Sequence, residues 1–210
     1  MKHRNLEYVQ YGCGLCAPAG WRNFDASPTL LFERIPILGS MYTRNASRFP
    51  DNVERGDIVK GLPVADDSCK AIYCSHVLEH LALEDFRLAL RNTFRLLRRG
   101  GSFRLVVPDL ARAIDTYIAD ESANAAIVLL KGTLLGAEKR RRGIKGIVYA
   151  SLGNSRHLWM WDYKGIAREL QVAGFVNVRR AQFGDASDEM FHQVEDRGRW
   201  DGSVGVECTK

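Results

Sequence analysis

The sequence predicts an α/β domain in which helices cover both faces of a mostly parallel, doubly wound sheet. Short apolar strands alternate with helical segments through the first half of the chain, the order that produces parallel pairing with right-handed crossovers. Glycine, acidic or histidine residues follow several of these strands. Because ligands in such sheets bind beyond the carboxyl ends of the strands, these residues are the first candidates for a functional site.

Five strands are predicted in the first half, each a short apolar, aromatic or β-branched run that ends at turn residues. They span residues 6–11, 21–27, 54–59, 69–75 and 102–108, and residues 28–50 are expected to form an irregular helix and a loop. From Leu83 the apolar positions Phe86, Leu90, Phe94 and Leu97 recur at helical spacing, and the pattern closes on the glycine pair 100–101.

The second half predicts one or two helices after Leu110, then a basic tract over residues 138–146 and an aromatic stretch over 156–163. Asp162 is suited to cap a helix that runs to Ala173 and ends at Gly174. Two further strands are expected over residues 175–183 and 203–209. No repeat or linker divides the chain, so one domain spanning residues 1–210 is expected.

The composition is that of an ordinary globular protein, with 46% apolar and 26% charged residues among 210. The net charge of +5 is a mild bias that a solvated surface explains as well as nucleic acid does. Five cysteines at irregular spacing do not suggest a disulfide framework. No apolar run is long enough for a membrane span. The reducing cytoplasm is therefore the expected compartment.

Three of the predicted strand ends together offer partners for adenosine. The turn Gly12-Cys13-Gly14 follows the first strand, and glycines let backbone amides approach a ligand closely. Asp25 ends the second strand, where an acid can accept hydrogen bonds from both ribose hydroxyls. Asp57, at the third strand, can receive an adenine amino group in the same way.

These residues and their flanking sequences resemble the class I S-adenosylmethionine-dependent methyltransferases, specifically the small type-11 branch often found in surface-polysaccharide and other small-molecule biosynthesis. The resemblance covers about half the chain, in the family order. The matching blocks are YVQYGCG, GWRNFDASP, GDIVKGLPVADDSCKAIYCSHVLEHL, RLLRRGGSFRLVVPDL, HLWMWDYKGIARELQVAGFVNVRRAQFGD and VEDRGRW. It implies a seven-stranded sheet with the last strand inserted antiparallel, and S-adenosylmethionine as the cofactor.

The resemblance also implies where the cofactor lies: the glycine turn at its methionine portion, Asp25 at the ribose, and Asp57 with the Ile58 amide at the adenine. The full set of expected cofactor-binding residues is Tyr11, Gly12, Cys13, Gly14, Asp25, Ala26, Asp57, Ile58, Ser75 and His76. The chain departs from the family pattern at Gln10, where many relatives carry an acid, and at Arg99, where a proline is common. The interval from Gly14 to Asp25 is also short for a full first helix.

Two sequence patterns raise the question of a metal site. His76, Glu79 and His80 form HxxEH, which binds zinc when both histidines share a helical face. A strand leads directly into His76, however, so the two side chains are expected to diverge. Cys13 and Cys16 form CxxC, but a second CxxC is missing. No metal is therefore expected.

The resemblance implies a helical lid over the active site at roughly residues 110–161, and this lid is expected to carry acceptor-binding residues. Trp159, Trp161 and Tyr163 can form an aromatic wall around a substrate, although the spacing of the two tryptophans fits a core strand equally well. His76 and His157 are the candidate general bases. For His76, a plain hydrogen-bonded histidine at a strand end is an equally good interpretation.

The favoured function is methyl transfer from S-adenosylmethionine to an oxygen of a small-molecule acceptor, such as a sugar or glycan precursor. RNA methylation is a second hypothesis, prompted by the basic residues 139–142 and Lys145. The sequence lacks the Asn/Asp-Pro-Pro-aromatic turn that typically follows the fourth strand in enzymes that methylate exocyclic base nitrogens. No nucleic-acid partner is therefore expected. A third hypothesis is a methyltransferase-like protein that binds cofactor or a partner without turnover. Its support is Gln10, which stands where many relatives carry an acid. An NAD-dependent dehydrogenase is disfavoured because GCG lacks the third glycine of the dinucleotide fingerprint.

Overall fold

Seven strands form one mixed sheet in the computed structural model, which describes residues 7–35, 47–137 and 156–210. The strands are β1 (Tyr8–Tyr11), β2 (Arg22–Asp25), β3 (Val53–Arg55), β4 (Cys69–Ser75), β5 (Leu97–Pro108), β6 (Val176–Ala181) and β7 (Ser203–Thr209). Their order across the sheet is β3-β2-β1-β4-β5-β7-β6. The first five strands pair in parallel, and β7 pairs antiparallel with both β5 and β6. The predicted seven-stranded α/β fold with an antiparallel last strand is confirmed.

Four of the six described helices begin at a residue whose side chain caps the first turn. They are α1 (Pro28–Glu33), α2 (Leu83–Leu96), α3 (Leu110–Ala119), α4 (Ala125–Gly132), α5 (Tyr163–Val172) and α6 (Arg197–Trp200), with 3-10 turns at Leu78–His80 and Glu189–Gln193. The Asp162 carboxylate accepts a hydrogen bond from the Gly165 amide at 2.7 Å, which satisfies one of the unpaired amides at the start of α5. Gly174 follows this helix with a φ of +103°, a conformation that favours glycine.

Five strands differ from their predicted bounds, and the third and fifth differ most. The third strand stops at Arg55, because the chain then closes a tight turn in which the Lys60 amide donates to the Asp57 carbonyl. The fifth strand begins at Leu97 instead of Ser102. Leu97 already pairs with Cys69, and a register shift follows before regular pairing resumes. The glycine pair at 100–101 therefore lies within the strand instead of ending a helix.

The main hydrophobic core lies between the sheet and the helices α2 and α5. Phe86 and Leu90 of α2, Ile166 of α5 and Phe103 of β5 are all buried there. Apolar residues three or four positions apart form one face of a helix, so the periodicity that predicts α2 also predicts which side chains it buries. This layer fixes the sheet beneath the functional site.

The opposite face of the sheet is covered by the segment between β6 and β7. Phe191 and Val194 from this segment pack on Trp21, Tyr73 and Val106 of the sheet. The segment thus has apolar anchors close to the ends of β1 and β4. This packing brings C-terminal residues to the edge of the sheet where a ligand is expected.

A buried arginine holds the same segment by charge. Arg104 of β5 is fully buried, and its guanidinium contacts Glu195 at 2.6 Å, Glu207 at 2.6 Å and Asp185 at 2.9 Å. It also donates to the Gln182 carbonyl at 2.6 Å. Every nitrogen of the guanidinium therefore has an acceptor, which offsets the cost of burying the charge. The pKa of Arg104 is raised, because these contacts outweigh the effect of burial.

The basic tract over residues 138–146, which includes residues 139–142 and Lys145, lies outside the described residues. Within the described ranges, none of the helices has the length and apolar character needed to cross a membrane.

Arg104→Met is expected to lower the free energy of unfolding by about 3 kcal/mol, because removing one partner of a buried ion network leaves uncompensated carboxylates. The measurement is urea denaturation followed by circular dichroism. Arg98→Met is the matched control, since Arg98 contacts Glu7 at the surface and exposed pairs contribute less than about 1 kcal/mol. Equal stability of the two variants would contradict the assigned role of Arg104.

Candidate cofactor and acceptor site

The turn after β1 is shaped by glycine conformations. Gly12 and Gly14 have φ values of +65° and +54°, which side chains with a Cβ rarely adopt. Cys13, between them, is buried, and its amide donates to the Phe24 carbonyl at 3.1 Å. Burial raises the pKa of the Cys13 thiol to about 12, so the thiol stays protonated and packs as a small apolar group.

Gly12 also lies against the turn that follows β4. A Cβ at this position would overlap the Cγ2 atom of Val77. The two turns are therefore in direct contact, and each limits the size of the other. This contact keeps the glycine turn close to the end of β4.

Asp25 holds the glycine turn from the neighbouring strand. Its Oδ2 atom accepts a hydrogen bond from the Gly14 amide at 2.9 Å, and its Oδ1 atom accepts one from the Ser27 amide at 2.7 Å. The side chain is buried, with 8% of the residue exposed. Each carboxylate oxygen retains acceptor capacity beyond its one backbone partner.

Gln10 occupies the position where many relatives have an acid, and its carboxamide is engaged within the chain. Its Nε2 atom donates to the Asn23 Oδ1 atom at 2.6 Å and to the Cys16 carbonyl at 2.8 Å. The Asn23 amide in turn donates to the carbonyls of Pro18 and Trp21. The local hydrogen bonds therefore require a donor at position 10, which a carboxylate cannot supply.

A cavity of about 550 Å³ lies over this turn, at the carboxyl ends of β1, β2 and β4. Of the residues predicted to bind the cofactor, Tyr11, Gly12, Cys13, Gly14, Asp25 and Ser75 line it. The other nine lining residues were not predicted for the cofactor, and they include Tyr73 of β4 and Val194, Asp196 and Arg199 of the C-terminal segment. The Arg199 guanidinium donates to the Ser75 carbonyl at 3.2 Å and extends across the cavity near Gly14.

The remaining predicted cofactor residues lie around this cavity but do not line it. Ala26 is exposed between two lining residues. Asp57 lies in the turn after β3, where its carboxylate accepts a hydrogen bond from the Val59 amide at 3.0 Å. Ile58 is buried in the core. The assignment of Asp57 and Ile58 to adenine stays a prediction.

His76 is fixed at the end of β4 in a left-handed conformation, with a φ of +54°. Its Nε2 atom lies 2.8 Å from the Arg199 carbonyl and 3.4 Å from the Ser203 hydroxyl. Its Nδ1 atom lies 3.3 Å from the Glu79 carboxylate. Burial alone would lower the pKa of His76, but the Glu79 carboxylate and the Arg199 carbonyl raise it above its ordinary value.

The histidines of the HxxEH pattern diverge, as the sequence predicts. The His80 Nδ1 atom faces the Arg156 carbonyl at 2.9 Å, whereas His76 faces Arg199. Instead, His80 lies beside His157, with ring centroids 5.0 Å apart. His157 is buried, and this burial lowers its pKa. The neutral imidazole is therefore its form near pH 7.

The three predicted substrate aromatics have different surroundings. Trp161 is buried in the core and stacks on Phe86 with ring centroids 4.1 Å apart. Tyr163 packs against the same core, and its hydroxyl donates to the Val178 carbonyl at 3.4 Å. Trp159 is 40% exposed. Of the three, Trp159 is the one whose ring has substantial open surface for a ligand.

A second cavity, of about 250 Å³, lies beyond the end of β5. Helices α3 and α4 form most of its wall, and Met160 and Gly202 complete it. Asp109, Arg112, Thr116 and Asp120 are among the lining residues, but most of the lining surface is apolar. Strands β4 and β5 are neighbours, so the two cavities open at adjacent strand ends.

The larger cavity fits an adenosyl cofactor by its own polar atoms. Within the described chain, the buried hydroxyls of Tyr73 and Ser75 have no well-formed hydrogen bond, although both lie on the cavity wall. Buried polar groups rarely remain unpaired in a functional protein. The glycine turn, the Asp25 carboxylate and these two hydroxyls supply the donors and acceptors that a nucleoside with an amino acid chain requires.

Comparison with known proteins agrees with this geometry. A family model described as a methyltransferase domain matches residues 33–105. A SAM-dependent methyltransferase structure from Thermotoga maritima, a possible histamine N-methyltransferase, is similar with a TM-score of 0.51 and 16% identity over 97% of this chain and 81% of that one. One from Archaeoglobus fulgidus has a TM-score of 0.50 and 14% identity over 97% and 85%. No curated protein sequence matches.

At such low identities the two structures show a shared fold and no more. The methyltransferase-domain model matches residues 33–105, about a third of the chain. This match and the sheet order support the methyltransferase, with S-adenosylmethionine as its cofactor, that the sequence predicts.

Gln10→Glu, which introduces the acid common in relatives, is expected to weaken cofactor binding and lower stability by about 1–3 kcal/mol. The carboxylate would face two acceptor oxygens at positions now served by an amide donor. Thermal unfolding and calorimetry with S-adenosylhomocysteine are the measurements. Gln171→Glu, on the exposed surface of α5, is the control. Tighter binding by Gln10→Glu would show that the local hydrogen bonds do not govern this position.

Proposed function

We propose that this enzyme transfers a methyl group to a hydroxyl oxygen of a small acceptor, such as a sugar or glycan precursor. The observation that carries this proposal is the 250 Å³ cavity beside the cofactor cavity. Its volume is below the roughly 300–1,000 Å³ of pockets for drug-sized ligands, so it suits a compact acceptor. Its lining is mainly apolar, and residues such as Arg112, Thr116 and Asp120 supply a small number of polar groups that could orient an acceptor hydroxyl.

The cofactor would be held by residues of three strand ends. The Asp25 carboxylate would accept the ribose hydroxyls, and the glycine turn would admit the methionine portion. Arg199 carries the positive charge nearest this turn and would pair with the cofactor carboxylate. Asp57 and the Ile58 amide would receive the adenine. When bound, S-adenosylmethionine supplies an electron-poor methyl carbon to the acceptor oxygen.

His76 is well placed to act between the two cavities. Its neighbour Ser75 lines the cofactor cavity, and its ring lies beside Ser203, which follows a residue of the acceptor cavity. To receive the acceptor proton as the oxygen attacks, its Nε2 atom would have to leave the Arg199 carbonyl and turn toward the acceptor hydroxyl. Alignment of the acceptor with the methyl carbon would supply much of the remaining rate enhancement.

Helices α3 and α4 would form part of the lid expected at roughly residues 110–161. Their exposed apolar residues include Ile118, Ile127 and Val128. With Trp159, they would cover the acceptor and exclude water from the reacting groups. Acceptor choice would therefore reside mainly in the lid residues that face the smaller cavity.

Asp25→Ala is expected to raise the dissociation constant of S-adenosylhomocysteine about 10- to 100-fold, since hydrogen bonds to a charged group contribute about 1.5–3 kcal/mol. Isothermal titration calorimetry measures this change. Asp51→Ala, at an exposed site outside the cavity lining, should bind like the parent protein. Unaltered binding by a folded Asp25→Ala variant would exclude the ribose assignment.

His76→Gln is expected to lower kcat by about 100-fold or more, the range associated with loss of a general base, while S-adenosylhomocysteine binding stays within about twofold. Transfer of labelled methyl to a panel of monosaccharides, nucleotide sugars and small phenols provides the assay. His192→Gln, at an exposed histidine that lines neither cavity, is the control. A kcat within a few-fold of the parent value would remove His76 from the reaction and leave His157 as the candidate base.

A further inference from the structure

The most unusual group outside the two cavities is the carboxylate of Glu79, in the turn after β4. Only 1% of the residue is exposed, and neither carboxylate oxygen has a well-formed hydrogen bond within the described chain. The nearest nitrogens are His76 Nδ1 at 3.3 Å and His157 Nε2 at 4.0 Å from Oε1. His76 is therefore the nearest partner of this buried carboxylate, and the acceptor capacity that remains on its two oxygens is costly to leave unused.

Two histidines converge on this carboxylate from different parts of the chain. His80 follows it directly, and His157 approaches from the segment before α5. One ligand atom from each of Glu79, His80 and His157 lies within 4.8 Å of the other two. Two imidazoles and one carboxylate thus surround a common point.

The backbone holds this arrangement together. The amides of Leu158 and Trp159 both donate to the Glu79 carbonyl, at 2.8 and 3.1 Å. The segment that carries His157 is therefore fastened to the turn that carries Glu79 and His80. Such support is what a preorganised site needs.

The tautomer of His80 also suits a ligand role. Its Nδ1 atom lies 2.9 Å from the Arg156 carbonyl, which can only accept, so Nδ1 carries the proton and Nε2 carries the lone pair. Histidines that bind metals commonly donate their other ring proton to a carbonyl or carboxylate in this way.

We propose that Glu79, His80 and His157 bind a divalent transition metal ion, of which Zn²⁺ is the best match. Two imidazole nitrogens and one carboxylate form a ligand set that Zn²⁺ accepts with a fourth position open. Imidazole ligands favour Zn²⁺ over Mg²⁺ or Ca²⁺, which prefer sites made of oxygen. The ion neutralises the Glu79 carboxylate and cross-links the end of β4 to the segment before α5.

Binding requires only a small contraction of the three side chains. Ligand atoms about 2.1 Å from a tetrahedral ion lie roughly 3.4 Å apart, so separations within 4.8 Å must shorten by up to about 1.4 Å. Rotation of the His157 ring toward Glu79 achieves this. His76 stays outside the set, because its Nε2 atom is directed to the Arg199 carbonyl.

Titration of the tag-free protein with Co²⁺ tests the site directly, because a four-coordinate Co²⁺ ion gives visible absorption bands that the aqueous ion lacks. We expect one ion per chain, displacement of Co²⁺ by Zn²⁺, and a higher thermal midpoint with Zn²⁺. Glu79→Gln, His80→Asn and His157→Asn should each weaken Zn²⁺ binding by more than about 100-fold, the upper range for changes to residues behind metal ligands. His192→Asn, an exposed histidine outside the cluster, is the matched control and should bind like the parent protein.

The proposal is overturned if the folded parent protein takes up no Co²⁺ or Zn²⁺ at one equivalent, or if the three variants bind as tightly as His192→Asn. Loss of binding in His80→Asn and His157→Asn supports the site even if Glu79→Gln fails to fold. None of these readouts depends on methyl transfer. The metal site and the proposed acceptor can therefore fail separately.

Discussion

The fully buried charge of Arg104 is the constraint on which the functional end of the molecule depends. It lies in the centre of the sheet, on the face that no long helix of the described chain covers, and draws three carboxylates toward it. One of them, Glu195, adjoins Asp196 on the cofactor cavity wall. The position of this wall, including Arg199, therefore follows from an ionic contact made beneath it. Sequence-distant residues reach the cofactor because the sheet holds their segment by charge as well as by apolar packing.

The sequence predicts the order and type of the elements well, because most of them depend on local patterns. The strands β4 and β7 have the predicted bounds, and α5 begins and ends at its predicted cap residues. The errors occur where tertiary pairing overrides a local signal. Gly100 and Gly101 predict a break in the chain, yet pairing across the sheet extends β5 back to Leu97. Such pairing has no signature in the residues themselves.

The residues of the candidate site also fall into two groups: those that local sequence predicts and those that only tertiary packing brings to the site. Residues on consecutive strand ends, such as Gly12, Asp25 and Ser75, are accessible to sequence reasoning because a parallel sheet must bring them to one edge. Tyr73 could have been found from its spacing, because it lies two positions before Ser75 and residues two apart on a strand point to the same face. The position of Arg199 on the cofactor cavity wall could not have been predicted, because no local sequence pattern directs its segment across the sheet. The family match begins at residue 33, beyond the glycine turn and Asp25, so the geometry of these residues supplies what that match lacks.

The cluster around Glu79 shows how a motif can be correct in its residues and misleading in its pairing. HxxEH suggests His76 and His80 as partners, and the divergence of these side chains removes that interpretation. The third histidine of the cluster is supplied by a segment more than seventy positions away. Two backbone hydrogen bonds to one carbonyl bring it there. Long-range chain closure, and not helical spacing, determines which nitrogens surround the carboxylate.

The contact between Gly12 and Val77 has a consequence for how this enzyme can change over evolutionary time. Any side chain gained at position 12 must be matched by a loss of bulk at position 77, so substitutions at the two sites should appear in pairs among descendants. A larger side chain at either site alone would push the two turns apart and enlarge the entrance to the cofactor cavity. Mutational libraries directed at new acceptors should therefore vary both codons together or leave both unchanged.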